Sequence, residues 1–322
     1  MQRVEVDGHP AYVLTELIGP VELGDRVVVN TTAVDLGLGS GGFHIVHWNL
    51  ARDQWEHPGA GPIMKLRYTS LQCDTGAAEE AEAFKPAPDL GGLPVVACDL
   101  HSHVAWVAMA FHQRAPHRRL VYVMTDQAAL PLALSDRVAE LRERGVLAAS
   151  VSMGHAFGGD YEAVNLYSAL QVAHAMAGAD AVVVGPGPGV VGTRTRLGFG
   201  GLEVLGVTDA AARLGGRPIV AVRSSDADGR AEHRSISHHS ATCLGMISVP
   251  TLVAVPNGET LPVDLLASIR AVSVDLAQLD LEPFASVTSM GRRGSDDPAS
   301  WRWPAAAGLL AADIRADRAA LS

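Results

Sequence analysis

The chain has 322 residues, 48% of them apolar and 19% charged, with 35 Asp and Glu against 25 Lys and Arg for a formal net charge of −10. That composition supports one large core or two smaller ones, excludes a disordered polyelectrolyte, and argues against nucleic acid as a partner, because phosphate-backbone binding needs clustered positive charge. Only Lys65 and Lys85 are lysines, which nearly excludes chemistry that needs one, such as a Schiff base.

The chain opens without a basic segment followed by an apolar run, and no stretch approaches the ~18 apolar residues of a membrane helix. Cys73, Cys98 and Cys243 are odd in number and lack metal-like spacing, which predicts reduced thiols. A cytoplasmic, soluble protein with no membrane partner is expected.

The first ninety residues read as β-rich. Segments 11–17, 26–32 and 43–48 carry β-branched and aromatic residues, and turn chemistry such as Gly24-Asp25 separates them. A small antiparallel barrel or sandwich is predicted. The Ala-, Glu- and Pro-rich run 74–92 reads as a connector, so the predicted domains are 1–90 and 91–322.

After the connector, short β-branched runs alternate with helical patterns. Strands are predicted at 94–99, 120–125, 147–152, 181–185, 218–223 and 251–255. Val104, Val107, Ala108 and Phe111 mark a helix after the first, and 162–177 a helix after the third. Near-continuous apolar strands alternating with helices predict a doubly wound, mainly parallel Rossmann-like sheet. Ligand chemistry then belongs at the carboxyl ends of its strands.

The residues at those ends carry chemistry. Asp99, His101 and His103 follow the first strand, and Asp126 follows the second. Gly154, His155, Gly158, Gly159 and Asp160 follow the third. Gly185, Gly187, Gly189, Gly192 and Thr193 leave the fourth, Arg223 ends the fifth, and His233, His238 and His239 precede the sixth.

Ten of the 33 glycines lie between Gly185 and Gly216. Gly185, Gly187, Gly189, Gly192 and Thr193, with Arg223, are the expected ligand-binding residues, because backbone N–H groups freed by glycine make an anion site. Gly187 to Gly192 also fits the dinucleotide pattern G-x-G-x-x-G. Further glycines follow where a helix should start, so NADP is the weaker reading. Arg194, Arg196, Arg230 and Arg234 lie near the same loops and suit bidentate recognition of a small anion.

Asp99, His101 and His103 are a candidate divalent-metal set, since H-x-H on an extended segment puts two imidazoles on one side. The alternative places His101 at a helix cap and His103 on the helix surface. His155 is a candidate general acid or base. Asp160 is either its partner or the N-cap of the next helix. His238 and His239 complete the candidate catalytic set, although adjacent residues diverge if their segment is extended. Ser224, Ser235, Ser237 and Ser240 lie outside any G-x-S-x-G elbow.

Three strings, NTTAVDLGLGSGG at 30–42, GHAFGGDYEAVN at 154–165 and SHHS at 237–240, resemble the bacterial domain-of-unknown-function family numbered 3866 over nearly the whole length. The resemblance carries no activity with it. It places His155, Gly158, Gly159, Asp160, His238 and His239 in the family's motif segments without giving them roles.

The expectation is therefore a hydrolase or transferase acting on a small anionic metabolite at the carboxyl edge of the sheet. An NADP-binding oxidoreductase and a non-catalytic small-ligand-binding protein are the alternatives. Homo-oligomer formation is left open.

Overall fold

β-Branched runs and helical periods sort along the chain into two compact units, Met1–Ala77 and Ala78–Ser322. The computed structural model describes residues 1–38, 41–57, 59, 61–87, 89–193, 195–261 and 266–315. Arg194 and the Gly39-Ser40 step of the first string lie outside the described residues.

In the first unit β1 (Gln2–Val6) and β2 (His9–Val13) form a hairpin over Asp7-Gly8. Both turn residues take positive φ, 50° and 81°, as the commonest two-residue hairpin turn requires. β3 (Val27–Asn30) and β4 (His44–Asn49) complete a sheet in the order β1-β2-β4-β3. β2 and β4 run parallel, so the sheet is mixed rather than wholly antiparallel. Two short helices, α1 (Thr15–Ile18) and α2 (Thr32–Asp35), fill its connections, and α1 takes the second half of the expected strand 11–17. β5 (Met64–Lys65) and β6 (Cys73–Asp74) pair as a minimal ladder.

The second unit, which begins at Ala78, carries the mainly parallel, Rossmann-like α/β sheet expected from the sequence. Its strands are β7 (Pro94–Cys98), β8 (Leu120–Thr125), β9 (Ala149–Met153), β10 (Tyr161–Ala163), β11 (Ala181–Pro186), β12 (Arg217–Ala221), β15 (Thr251–Pro256) and β16 (Ile269–Val274). They make one sheet in the order β10-β9-β8-β11-β7-β12-β15-β16, with every pairing parallel. Two small antiparallel ladders lie outside it, β13 (Ser224–Ser225) with β14 (Ser235–Ile236), and β17 (Thr288–Ser289) with β18 (Arg292–Arg293).

Strand periodicity builds a core on each face. Val96, Cys98, Tyr122 and Val183 pack under α3 (His101–Arg114) and α9 (Ala299–Asp313). Val95, Ala97, Val123 and Val182 pack under α5 (Leu166–Ala175) and α6 (Val204–Arg213). The remaining helices are α4 (Asp136–Glu143), α7 (His238–Leu244) and α8 (Glu282–Ser286). α3 and α9 approach closely at Gly308, where a Cβ would run into the Val107 carbonyl oxygen.

The strand order opens a crevice at one place along the carboxyl edge. From β7 the chain crosses to β8 on one side of the sheet. From β12 it continues to β15 on the other. β7 and β12 are neighbours, so their diverging connections leave a crevice at their carboxyl ends, the usual ligand position in this architecture.

Candidate functional site

The crevice is a cleft of about 790 Å³. Asp99 enters it from the end of β7 and Arg223 from the end of β12. Gly192, Thr193 and Phe199 form a wall from the β11–α6 connection, and His233, His238 and His239 face them.

Glycine shapes that wall. At Gly185 a Cβ would stand 3.1 Å from Cys98 Cβ and from Val104 Cγ2, and at Gly187 it would collide with the Ala129 carbonyl. Gly189 has φ +93° and lines a smaller neighbouring cavity with His101 and Arg137. Gly192 bridges to Phe199, the Thr193 N–H donates to the Gly198 carbonyl at 2.7 Å, and the Gly200 N–H donates to the Val191 carbonyl at 2.9 Å. The loop thus folds back on itself. A single 3-10 turn, Gly200–Glu203, follows before α6 begins at Val204. No helix N-terminus starts inside Gly187 to Gly192, so the dinucleotide pattern lacks the helix that would hold a pyrophosphate.

The histidines converge because their segment is helical, not extended. Ser237 caps α7, and its Oγ accepts from the His239 N–H at 3.3 Å. The same Oγ meets His233 Nδ1 at 2.8 Å. Ring centroids of His238 and His239 are 4.3 Å apart, and His233 lies 4.8 and 4.9 Å from them. His239 stacks flat on Phe199 at 3.9 Å and 2°. Burial, with Arg223 and Arg230, brings the His233 pKa down to about 4. Burial, with His238 and Arg223, does the same to His239, also about 4. Both rings are therefore neutral at pH 7 and keep a lone pair for a proton or a metal.

Arg223 is 6% exposed. Its backbone N–H donates to Ser240 Oγ at 2.8 Å. Among the described residues its guanidinium meets Asp228 at 3.7 Å and His239 Nδ1 at 3.5 Å, both long. Asp228 is occupied elsewhere. Arg230 grips it through Nε and Nη2, each at 3.1 Å, and Arg292 reaches it at 3.3 Å. Burial works to raise the Asp228 pKa, but these arginines hold its carboxyl far below the ordinary range.

Asp99, His101 and His103 do not converge on one point. His103 Nδ1 lies 3.1 Å from Asp99 Oδ1, in an i, i+4 pair behind the cleft, and His103 is 1% exposed. Burial raises the Asp99 carboxyl, but His103, Arg223 and His239 more than offset it and leave the pKa lowered. His101 points away, with Nδ1 2.9 Å from the Pro186 carbonyl and Nε2 2.7 Å from Ser135 Oγ. Both its nitrogens are engaged, and burial lowers its pKa.

His155 and Asp160 fall on a different part of the edge. β9 is three strands from β7 in the sheet, roughly 14 Å at ordinary strand spacing. The His155 N–H donates to Asp126 Oδ2 at 3.1 Å. Asp160 accepts from the Ser150 N–H and Oγ at 2.7 and 2.8 Å and from Arg142 at 2.6 Å. Asp160 does not cap α5. β10 intervenes, and Asn165 takes the cap in a reciprocal box with Ser168.

Glu203 carries no sequence signal yet has an unusual state. Burial pushes its pKa up to about 8 against the Thr125 hydrogen bond at 2.9 Å, and Asp126 and Asp99 add to the rise. Phe199 is equally silent in sequence, since one aromatic after a glycine run has no diagnostic spacing. His233 stands five and six residues before the adjacent pair, within the H-x₃₋₅-H spacing of zinc ligands, but Cys73, Cys98 and Cys243 supply no C-x₂-C to complete that motif.

No curated protein and no solved structure matches the chain. Over residues 10–308 it matches the model of the family described as Protein of unknown function (DUF3866), and it belongs to that family.

Proposed function

We propose that this protein is an enzyme, a hydrolase or transferase, whose substrate is a small anionic metabolite bound in the cleft between β7 and β12. One observation carries the reading. Arg223 is a nearly buried guanidinium with only long side-chain contacts among the described residues, lining a cleft shared with the neutral imidazoles of His233 and His239. A buried cation is costly unless it is closely paired, and a carboxylate or phosphate ligand would complete it by a bidentate contact. Gly192 and Thr193 form the opposite wall, where backbone can approach the ligand. The imidazoles supply reactive lone pairs, for a proton or for a Lewis acid.

A nicotinamide enzyme is the less supported reading, because the glycine loop turns back on itself before α6. A non-catalytic binding protein would share the anion contact and differ only in lacking turnover.

Thermal melting of the full chain with inorganic phosphate, pyrophosphate and small dicarboxylates tests the binding claim. At least one anion should raise the melting temperature, and Arg223→Met should weaken its affinity roughly 10- to 100-fold, the worth of a charged hydrogen bond. No response to any anion, or an unchanged response in Arg223→Met, would contradict the assignment. Turnover of esters of the bound anion, lost in His239→Ala, separates the enzyme from the binding protein.

A further inference from the structure

We infer that His233, His238 and His239 form a binding site for one divalent transition-metal ion of the zinc class, open to the cleft at its fourth position. This deepens the reading of the cleft, yet metal binding stands or falls independently of the anionic substrate.

The geometry begins with the nitrogens. One ligand atom from each ring lies within 4.8 Å of the other two. Tetrahedral zinc with nitrogen at about 2.1 Å needs ligand atoms about 3.4 Å apart, so the widest pair must close by up to about 1.4 Å, within side-chain rotation. The backbone between His233 and His238 turns through Ser235, which takes a positive φ of 55°. His233 ends a 3-10 turn, while His238 and His239 begin a helix, where successive side chains stand about 100° apart rather than on opposite faces, and their ring centroids are 4.3 Å apart.

Orientation of the rings is the second observation. Ser237 Oγ takes the Nδ1 side of His233 at 2.8 Å. A hydrogen-bond partner on one imidazole nitrogen fixes the tautomer and presents the other to a metal. Phe199 holds His239 by flat stacking. The 3.5 Å contact from Arg223 to His239 Nδ1 is at the outer limit of a hydrogen bond and does not commit that nitrogen.

Charge permits the ion. Asp99 and Glu232 line the cleft along with Arg223 and Arg230, so formal charges balance before any ligand enters. Three half-buried or buried imidazoles packed ring against ring gain little as a hydrophobic cluster.

Ligand type selects the metal. Three imidazole nitrogens suit zinc, cobalt or nickel, whereas magnesium and calcium require oxygen ligands. Three protein ligands leave one tetrahedral position for water or a substrate oxygen, the pattern of catalytic rather than structural zinc.

Chelator-stripped full-length protein titrated with Zn²⁺, and separately with Co²⁺, tests the inference. One equivalent should bind per chain, and cobalt should show the intense visible absorption of a tetrahedral site. His238→Ala and His233→Ala should each lose at least about 100-fold in affinity, since even outer-shell changes cost 10- to 100-fold. Ser237→Ala keeps all three ligands and should lose about 10-fold, which guards against a variant that merely misfolds. His117→Ala, an exposed histidine, should bind as the wild type does. Binding weaker than about 10 μM, an octahedral cobalt spectrum, or equal affinity in His238→Ala would overturn the site. Metal binding without any anion response would leave this inference standing and remove the anionic substrate.

Discussion

Glu203 and the cleft histidines titrate in opposite directions, which makes their effects separable. The folded Glu203 carboxyl keeps its proton to about pH 8, against an ordinary value of 4.5. Between those values the unfolded chain binds fewer protons, so stability falls as pH rises. His233 and His239 have folded values near 4 against 6.5. Between 4 and 6.5 the unfolded chain binds more protons at these sites, so they make stability rise with pH, a contribution that fades over about one unit above 6.5. From pH 6.5 to 8 the Glu203 slope amounts to about 1–2 kcal/mol after allowing for its partial exposure, superimposed on the fading histidine contribution, which a Glu203 variant shares. Glu203→Gln should flatten it, with Gln able to accept the same Thr125 hydrogen bond. Melting curves of both proteins across pH 6.5–8 check this, and parallel curves would show that Glu203 is ionised in the fold.

Elements differ in how openly the sequence declares them. β7, β8 and β11 are buried along their whole length, so they read as unbroken apolar runs. β16 alternates apolar and exposed residues at the sheet edge, and β10 has three residues. Neither stands out from loop composition. The parallel pairing of β2 with β4 is a tertiary choice that local turn chemistry does not encode. Two substitutions test element-level packing. Gly308→Ala should cost about 1–3 kcal/mol, because α3 and α9 must separate to admit the methyl. Asp160→Ala should cost about 1–3 kcal/mol by removing the acceptor that joins Ser150 to Arg142, while leaving anion affinity in the cleft unchanged. Urea unfolding measures the first pair, and an anion titration of Asp160→Ala the second. Lost anion affinity there would tie the β9 edge to the site.

On the scale of the whole molecule, the strand-end rule led from sequence to the edge on which the cleft lies but could not choose a place along it. His155 and His239 both follow the pattern, and only the strand order puts one roughly 14 Å from β7 and the other in the cleft with Arg223. Strand order is set by long-range pairing, which no local spacing records. The net charge of −10 likewise hides a local concentration of Arg223, Arg230 and three histidines. All cleft residues lie in Ala78–Ser322, which has a core on each face of its sheet. A chain reduced to 78–322 should therefore fold and retain anion affinity within about threefold (~0.7 kcal/mol). No described helix is long and apolar enough to cross a membrane.

The measurement that bears most directly on the cleft is residue-resolved amide hydrogen exchange of the full chain, with and without the anion that most raises its melting temperature. Exchange should slow at 190–193 and 199–201 and through 223–239, the segments that contribute residues to the cleft between β7 and β12. Slowing confined to 153–163, around His155 and Asp160, or no slowing anywhere, would contradict the placement of the site.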